Sequence, residues 1–264
     1  MPDPTSQQIT LTLPQTASVT VRQQTYRNNG SDRPVLDLYQ PSEPATGARP
    51  AVLFVNGYPD PGFRRVMGCA YKDMGATVAW ARLVGATGMA AITYENVEPL
   101  ADARRVLDFV AANADGLGVD PERIGVWACS GHAPTALALL AGVHASNKGP
   151  TPRCATLLYG YLLDLPGHNE VSAAAAQFGF LPGPASLDAI LPVPTLVLRA
   201  GRDGMPGLLP SMDRFVAAAL AGGFPLTLLN HPDAAHAFDL DDGRPESLTA
   251  LHSVLDFLTR RLRD

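Results

Sequence analysis

Cysteine is scarce in this 264-residue sequence: Cys69, Cys129 and Cys154 are the only three, and no two form a CxxC pair. That spacing argues against a disulfide framework and against a zinc ligand set, and fits reduced thiols in a cytoplasmic protein. A basic run is also missing. With a formal charge of −5, neither nucleic acid nor an anionic membrane surface is an expected partner. No stretch approaches the uninterrupted apolar length of a membrane span. Met1 to Gln15 has no basic n-region and no apolar h-region, so no secretory signal is read there. Internal repeats and dividing linkers are lacking too. What is present is 46% apolar composition, enough to bury one large core, and the expectation is a single domain over residues 1–264. Nothing calls for a metal or a cofactor, and a homodimer is left open.

The periodicity alternates between two patterns. Ile9 to Leu13 and Ser18 to Arg27 alternate polar and apolar residues, as an edge strand or hairpin does. Asn28-Asn29-Gly30-Ser31 is a turn signal, with Val35 to Tyr39 as the partner strand. Continuous apolar runs then predict buried strands at 51–55, 89–94, 124–129, 155–159, 195–199 and 226–229. Helical patterns fall between them at 78–85, 100–114, 131–141 and 210–220, and a last helix carries Leu248, Leu251, Leu255, Leu258 and Leu262. Such alternation implies an α/β fold with a mostly parallel central sheet of about eight strands and helices on both faces. The irregular stretch 163–191 is the candidate for a short insertion or lid.

The stretch from Arg123 to Leu137 is the most informative. Ile124, Val126 and Ala128 would face one side of a strand and Gly125, Trp127 and Cys129 the other. The strand breaks at Ser130-Gly131 and resumes as a helix, the pattern of a nucleophile elbow that lifts a serine oxygen off the sheet. The plainer alternative is a serine that only caps a helix. In a parallel sheet, ligands sit beyond the carboxyl ends of the strands. Asp203 follows the run 195–199, and His236 follows the last strand, giving the chain order Ser130, Asp203, His236. Asp164 is a reserve acid. His231 lies close to His236, but it follows the strand too closely and precedes a proline. His132, His144, His168 and His252 read as solvated or packed rather than catalytic.

On these motifs the chain resembles the α/β-hydrolase superfamily, and in particular its dienelactone-hydrolase-like, small-esterase branch. The resemblance rests on Asp120 to Trp127 leading into the elbow, on Gly201-Arg202-Asp203, and on the histidine before Ala237-Phe238. It also rests on Asn56-Gly57-Tyr58-Pro59, which is similar to a His-Gly-x-Pro oxyanion turn with Asn in place of His. The implied activity is hydrolysis of a small carboxylic ester or lactone through an acyl-enzyme. Ser130 would be the nucleophile, His236 the base and Asp203 the acid that holds its tautomer. The backbone N–H groups of Tyr58 and Gly131 would form the oxyanion hole. Tyr58, Cys129, His132, Tyr159 and Tyr161 are candidate pocket residues, and Arg64 and Arg65 candidates for a substrate carboxylate.

Two departures stand out, Asn56 in the oxyanion turn and His132 after the elbow. The frame Ala128-Cys129-Ser130-Gly131-His132 puts a histidine ring where the usual Gly-x-Ser-x-Gly has a hydrogen. A frame centred on Cys129 is the alternative, since dienelactone hydrolases use a cysteine. A binding protein that kept the fold and lost catalysis, or an acyltransferase or lyase on the same scaffold, are the competing functional expectations.

Overall fold

The computed structural model describes residues 3–28, 33–44, 46–146 and 149–263, the side chain of His144 excepted. The expected turn at Asn29-Gly30-Ser31 therefore lies outside the described residues. The strands are β1 (Val19–Thr25), β2 (Val35–Pro41), β3 (Arg49–Phe54), β4 (Ala90–Tyr94), β5 (Val119–Cys129), β6 (Cys154–Leu158), β7 (Thr195–Ala200) and β8 (Leu226–His231). The helices are α1 (Asp60–Met67), α2 (Gly75–Ala86), α3 (Pro99–Ala112), α4 (Ala114–Leu117), α5 (Ala133–Ser146), α6 (Glu170–Phe178), α7 (Leu208–Ala221) and α8 (Pro245–Arg263).

All eight strands form one sheet in the order β1-β2-β4-β3-β5-β6-β7-β8. The β1/β2 and β2/β4 pairs are antiparallel and the rest are parallel. The strands covered on both faces are the ones with continuous apolar sequence: every residue of β4 and β6 is buried. Alternation along β5 feeds two cores. Ile124, Val126 and Ala128 pack with Val106, Leu137, Leu140 and Phe215 from α3, α5 and α7. Trp127 packs with Trp80 and Leu83 of α2 and with Leu251 and Leu258 of α8. The three-and-four spacing of leucines in α8 is what lays it along this second face.

One expectation is corrected. Ile9 to Leu13 is no strand: Thr10 donates its N–H to the Asp239 carbonyl at 2.7 Å, so the segment is tied to a loop instead of a sheet edge. Ile9 and Leu11 are nonetheless buried, which is why their alternation looked strand-like. The Asn56-Gly57-Tyr58-Pro59 turn after β3 leads directly into α1, which begins at Asp60. The stretch 163–191 holds α6 and loops, and it is tied to the turn after β3 by Leu181 N–H donating to the Gly57 carbonyl at 3.1 Å.

Asp102 pins the loop between β4 and α3. Its fully buried carboxylate accepts from the N–H groups of Val97 (2.9 Å) and Glu98 (3.0 Å), and from Arg105 (2.8 Å) and Arg27 (3.1 Å). Burial alone would raise its pKa, but these donors outweigh it and hold the carboxyl below the usual range. Asp102→Ala is expected to cost about 3 kcal/mol at pH 7. A depressed folded pKa gives stability that is present above about pH 4 and lost as pH falls through the folded value. Urea unfolding should therefore show the gap between wild type and variant narrowing below pH 4, and a constant gap would contradict this account.

Candidate active site

Ser130 directly follows β5 and opens the short turn Ser130–His132 that leads into α5. Its φ is +49°, a region rarely occupied by residues with a side chain and kept only where surrounding structure enforces it. Among the described residues three non-glycines have such a φ: Ser130, Tyr159 (+35°) and Ala237 (+54°). All three line the same cavity of about 310 Å³.

Three of the sequence-derived side chains meet there. Ser130 Oγ lies 2.9 Å from His236 Nε2, and His236 Nδ1 lies 2.6 Å from Asp203 Oδ2. A carboxylate only accepts, so the tautomer that satisfies both contacts has the proton on Nδ1, facing Asp203, and leaves Nε2 to accept from the serine hydroxyl. The Asp203 side chain is fully buried, and its other oxygen accepts from the Met205 N–H at 2.9 Å. The loop bearing His236 is clamped to the end of β7 by Arg202 N–H to Ala234 O, and Gly201 N–H to His231 O, each 2.8 Å. Asp164 lies elsewhere and accepts from Val171 and Ser172 at the start of α6. His231 is buried and 2.8 Å from Ser247 Oγ.

The Asn56-Gly57-Tyr58-Pro59 turn is built by side chains. Asn56 is fully buried; its Nδ2 donates to Asp60 Oδ1 at 3.1 Å, and its Oδ1 accepts the Tyr58 N–H at 3.0 Å. The Tyr58 N–H, expected to point at an oxyanion, is thus engaged within its own Asx turn. The Gly57 N–H donates to His132 Nδ1 at 2.9 Å. The Gly131 N–H sits in the first turn of a helical segment, where no intrahelical acceptor exists.

His132 is buried, stacks on Tyr71 with ring centroids 3.9 Å apart, and lines the cavity. Burial pushes its pKa down to about 3, so it is the neutral acceptor that the Gly57 N–H requires. Cys129 also lines the cavity, 3.8 Å from the Tyr71 hydroxyl, and burial pushes its thiol up to about 12. Tyr58 and Tyr159 line it too. Tyr161 does not: the left-handed turn at Tyr159 sends it to the opposite core, where it stacks on Phe180 and donates to the Pro206 carbonyl at 2.7 Å. Arg64 is paired with Glu95 at 2.7 Å. Arg65 lines a neighbouring groove of about 460 Å³ that shares Tyr58, Phe63 and Met67 with the cavity.

Sequence patterns gave no hint of Tyr71, Trp80 or Asp239 in the cavity wall. The nearest signal for Asp239 was its place three residues after His236, just past the Ala237-Phe238 pair. Asp239 is buried and accepts from Trp80 Nε1 at 2.7 Å and from the Tyr159 hydroxyl at 2.8 Å. Burial raises its pKa and those two donors pull it back part of the way.

Architecture and sheet order are those of the α/β-hydrolase fold, and solved structures agree. A bacterial heroin esterase superposes with a TM-score of 0.72 at 17% identity, over 94% of this chain and 86% of that one. Esterase LipW from Mycobacterium marinum gives 0.66 at 19% identity, over 91% and 82%. The propionate-bound esterase Est2 of Thermogutta terrifontis gives 0.63 at 19%, over 94% and 96%. No protein-family model and no curated protein sequence matches the chain.

The depressed pKa of His132 has a thermodynamic signature. Between about pH 3 and pH 6.5 the unfolded chain holds a proton on this ring that the native protein does not, so stability rises with pH across that window. His132→Gln keeps an acceptor for Gly57 and removes the titration. At pH 7 the variant should be less stable, and the gap should close by about 1.4 kcal/mol per pH unit below 6.5. Parallel unfolding curves at pH 5 and pH 7 would show that the ring is not held neutral.

Proposed function

We propose that the protein is a serine hydrolase that cleaves a small carboxylic ester or lactone through an acyl-enzyme intermediate. The observation that carries this is the unbroken hydrogen-bonded chain from Ser130 Oγ through His236 to Asp203. His236 Nε2 takes the serine proton as Oγ attacks the ester carbonyl, then gives it to the departing alcohol. Asp203 keeps the proton on Nδ1 and stabilises the imidazolium without being protonated itself. Water then enters, His236 removes its proton, and the acyl group is released as the acid. Gly131 N–H is the primary oxyanion donor; the Tyr58 N–H would have to leave Asn56 Oδ1, 3.0 Å away, to join it.

Ser130 is favoured over Cys129 as nucleophile on two grounds. The serine is the residue in hydrogen-bond reach of the imidazole, and a thiol with a pKa near 12 has almost no thiolate at neutral pH. The dienelactone-hydrolase-like branch is therefore carried over in its serine form. The neighbours lend support: they are named as esterases, and the Thermogutta enzyme is known phosphoramylated by tabun. Three free cysteines suit a cytoplasmic setting.

A fluorophosphonate probe should label the wild type, and Ser130→Ala should lose both labelling and p-nitrophenyl acetate turnover. Asp203→Asn should lower kcat by roughly 10⁴-fold through the wrong tautomer, and Cys129→Ala should keep measurable turnover. Labelling that persists in Ser130→Ala would overturn the assignment.

A further inference from the structure

Two elements wall the cavity beside Ser130: the start of α2, through Met74, Ala76 and Thr77, and the loop after His236, through Ala237, Asp239 and Leu240. A segment remote from both in sequence, residues 4–11, crosses them as a strap. At one end the Gly75 N–H donates to the Pro4 carbonyl at 3.0 Å. At the other the Thr10 N–H donates to the Asp239 carbonyl at 2.7 Å, and the Thr10 hydroxyl to the Asp242 carbonyl at 3.3 Å. Between these anchors lies Gln7, half-buried and part of the cavity lining. It has the parity of the buried Ile9 and Leu11, whereas Gln8 and Thr12 are exposed. Alternate residues of an extended segment share a face, so the side chains that hold the strap down lie on the side that closes the cavity. The contact with α2 leaves no slack. A Cβ on Gly75 would collide with the Gln7 carbonyl oxygen and come within 2.7 Å of the Thr5 carbonyl oxygen, so glycine is what lets the strap lie flush.

An acyl group on Ser130 Oγ starts inside this cavity, because Ser130 and His236 both line it. The cavity holds about 310 Å³, where roughly 150 Å³ is enough for one benzene ring. That is room for a short chain together with the reacting carboxyl group. Phe63, Met67, Met74 and Leu240 among the lining residues suit an apolar chain. We propose that the strap is a wall of the acyl pocket, with Gln7 the specificity-determining residue that restricts the site to short apolar acyl groups. Gln7 has no part in the proton transfers between Ser130 and His236, so it acts on which acyl group is accepted. The inference rests on the esterase assignment of the same site for its catalytic readout, though not for its binding readout.

The test compares kcat/KM for p-nitrophenyl butanoate and p-nitrophenyl octanoate, which share a leaving group and differ in acyl length. Wild type should prefer the butanoate by about tenfold. Gln7→Ala trims the wall from inside, and Gly75→Ala lifts the strap from beneath without changing a residue of the cavity lining. Each should bring the ratio about threefold or more closer to one, while Gln7→Trp should widen it. The ratio is read within each variant, so a change in stability does not enter it. Gln7→Ala, at a half-buried position, decides the matter alone if Gly75→Ala does not fold. A wild type that favours octanoate, or a ratio that stays put in either folded alanine variant, would overturn the proposal. Calorimetry on Ser130→Ala with the butanoate and octanoate anions, with and without Gln7→Ala, reads the same wall independently of turnover. A shift toward octanoate binding in Gln7→Ala, with neither ester hydrolysed, would keep the strap and dismiss the esterase. Hydrolysis at a ratio that Gln7→Ala leaves unchanged would keep the esterase and dismiss the strap. Neither hydrolysis nor a shift in binding would dismiss both.

Discussion

The left-handed backbone at Ser130 is the constraint on which the site depends, since a relaxed torsion there would return the hydroxyl to the sheet. Such a torsion costs on the order of 1–3 kcal/mol, and the surroundings show what sustains it. β5 is locked by parallel pairing to β3 on one side and β6 on the other up to its last residues. Past the strand, two glycines from other segments press against the elbow. A Cβ on Gly57 would come within 2.8 Å of the Gly131 carbonyl oxygen and 3.0 Å of the His132 Cα. One on Gly160 would reach 2.5 Å from the Ala133 Cβ. Close approach at the turn is thus supplied by neighbouring chain segments, which frees position 132 to carry a ring.

The two departures from the usual motif are therefore coupled. Asn56 accepts the Tyr58 N–H and His132 accepts the Gly57 N–H, so both replacements brace one turn. Asp60 extends the brace by bonding the Asn56 side chain and the Asn96 N–H. A neutral imidazole is the right group for this task, because a protonated one would have no lone pair to offer Gly57. What looked from the sequence like damage to a catalytic frame is, in three dimensions, a polar scaffold behind it.

How much was legible follows the range of the forces involved. Continuous apolar runs at β3, β4, β6 and β7 report burial on both faces, and burial is a local property of side chains. The switch from period two to helical spacing at Ser130 is equally local, and so is the placement of Asp203 and His236 just beyond strand ends. The fold itself could be read because the central strands carry those apolar runs. By contrast, Ile9 and Leu11 alternate as a strand would, yet the backbone between them is tied at Thr10 to Asp239, more than two hundred residues away. Tyr161 was expected beside Tyr159, but the torsion at Tyr159 reverses its face, and no residue pattern announces a left-handed tyrosine. Asp239, in a short polar stretch, reads as surface until Trp80 and Tyr159 are seen to enclose it.

The members of the hydrogen-bonded chain come from the ends of β5 and β7 and the loop after β8, the serine and the histidine standing 106 positions apart in sequence. The β7–β8 ladder and the clamp from Gly201 and Arg202 must close before the imidazole reaches its place. A nascent or partly refolded molecule with its carboxyl-terminal strands still loose has the elbow and no base. The three side chains therefore come together only with the last-sequence half of the sheet, so that a half-made copy holds the serine without its hydrogen-bonded partners.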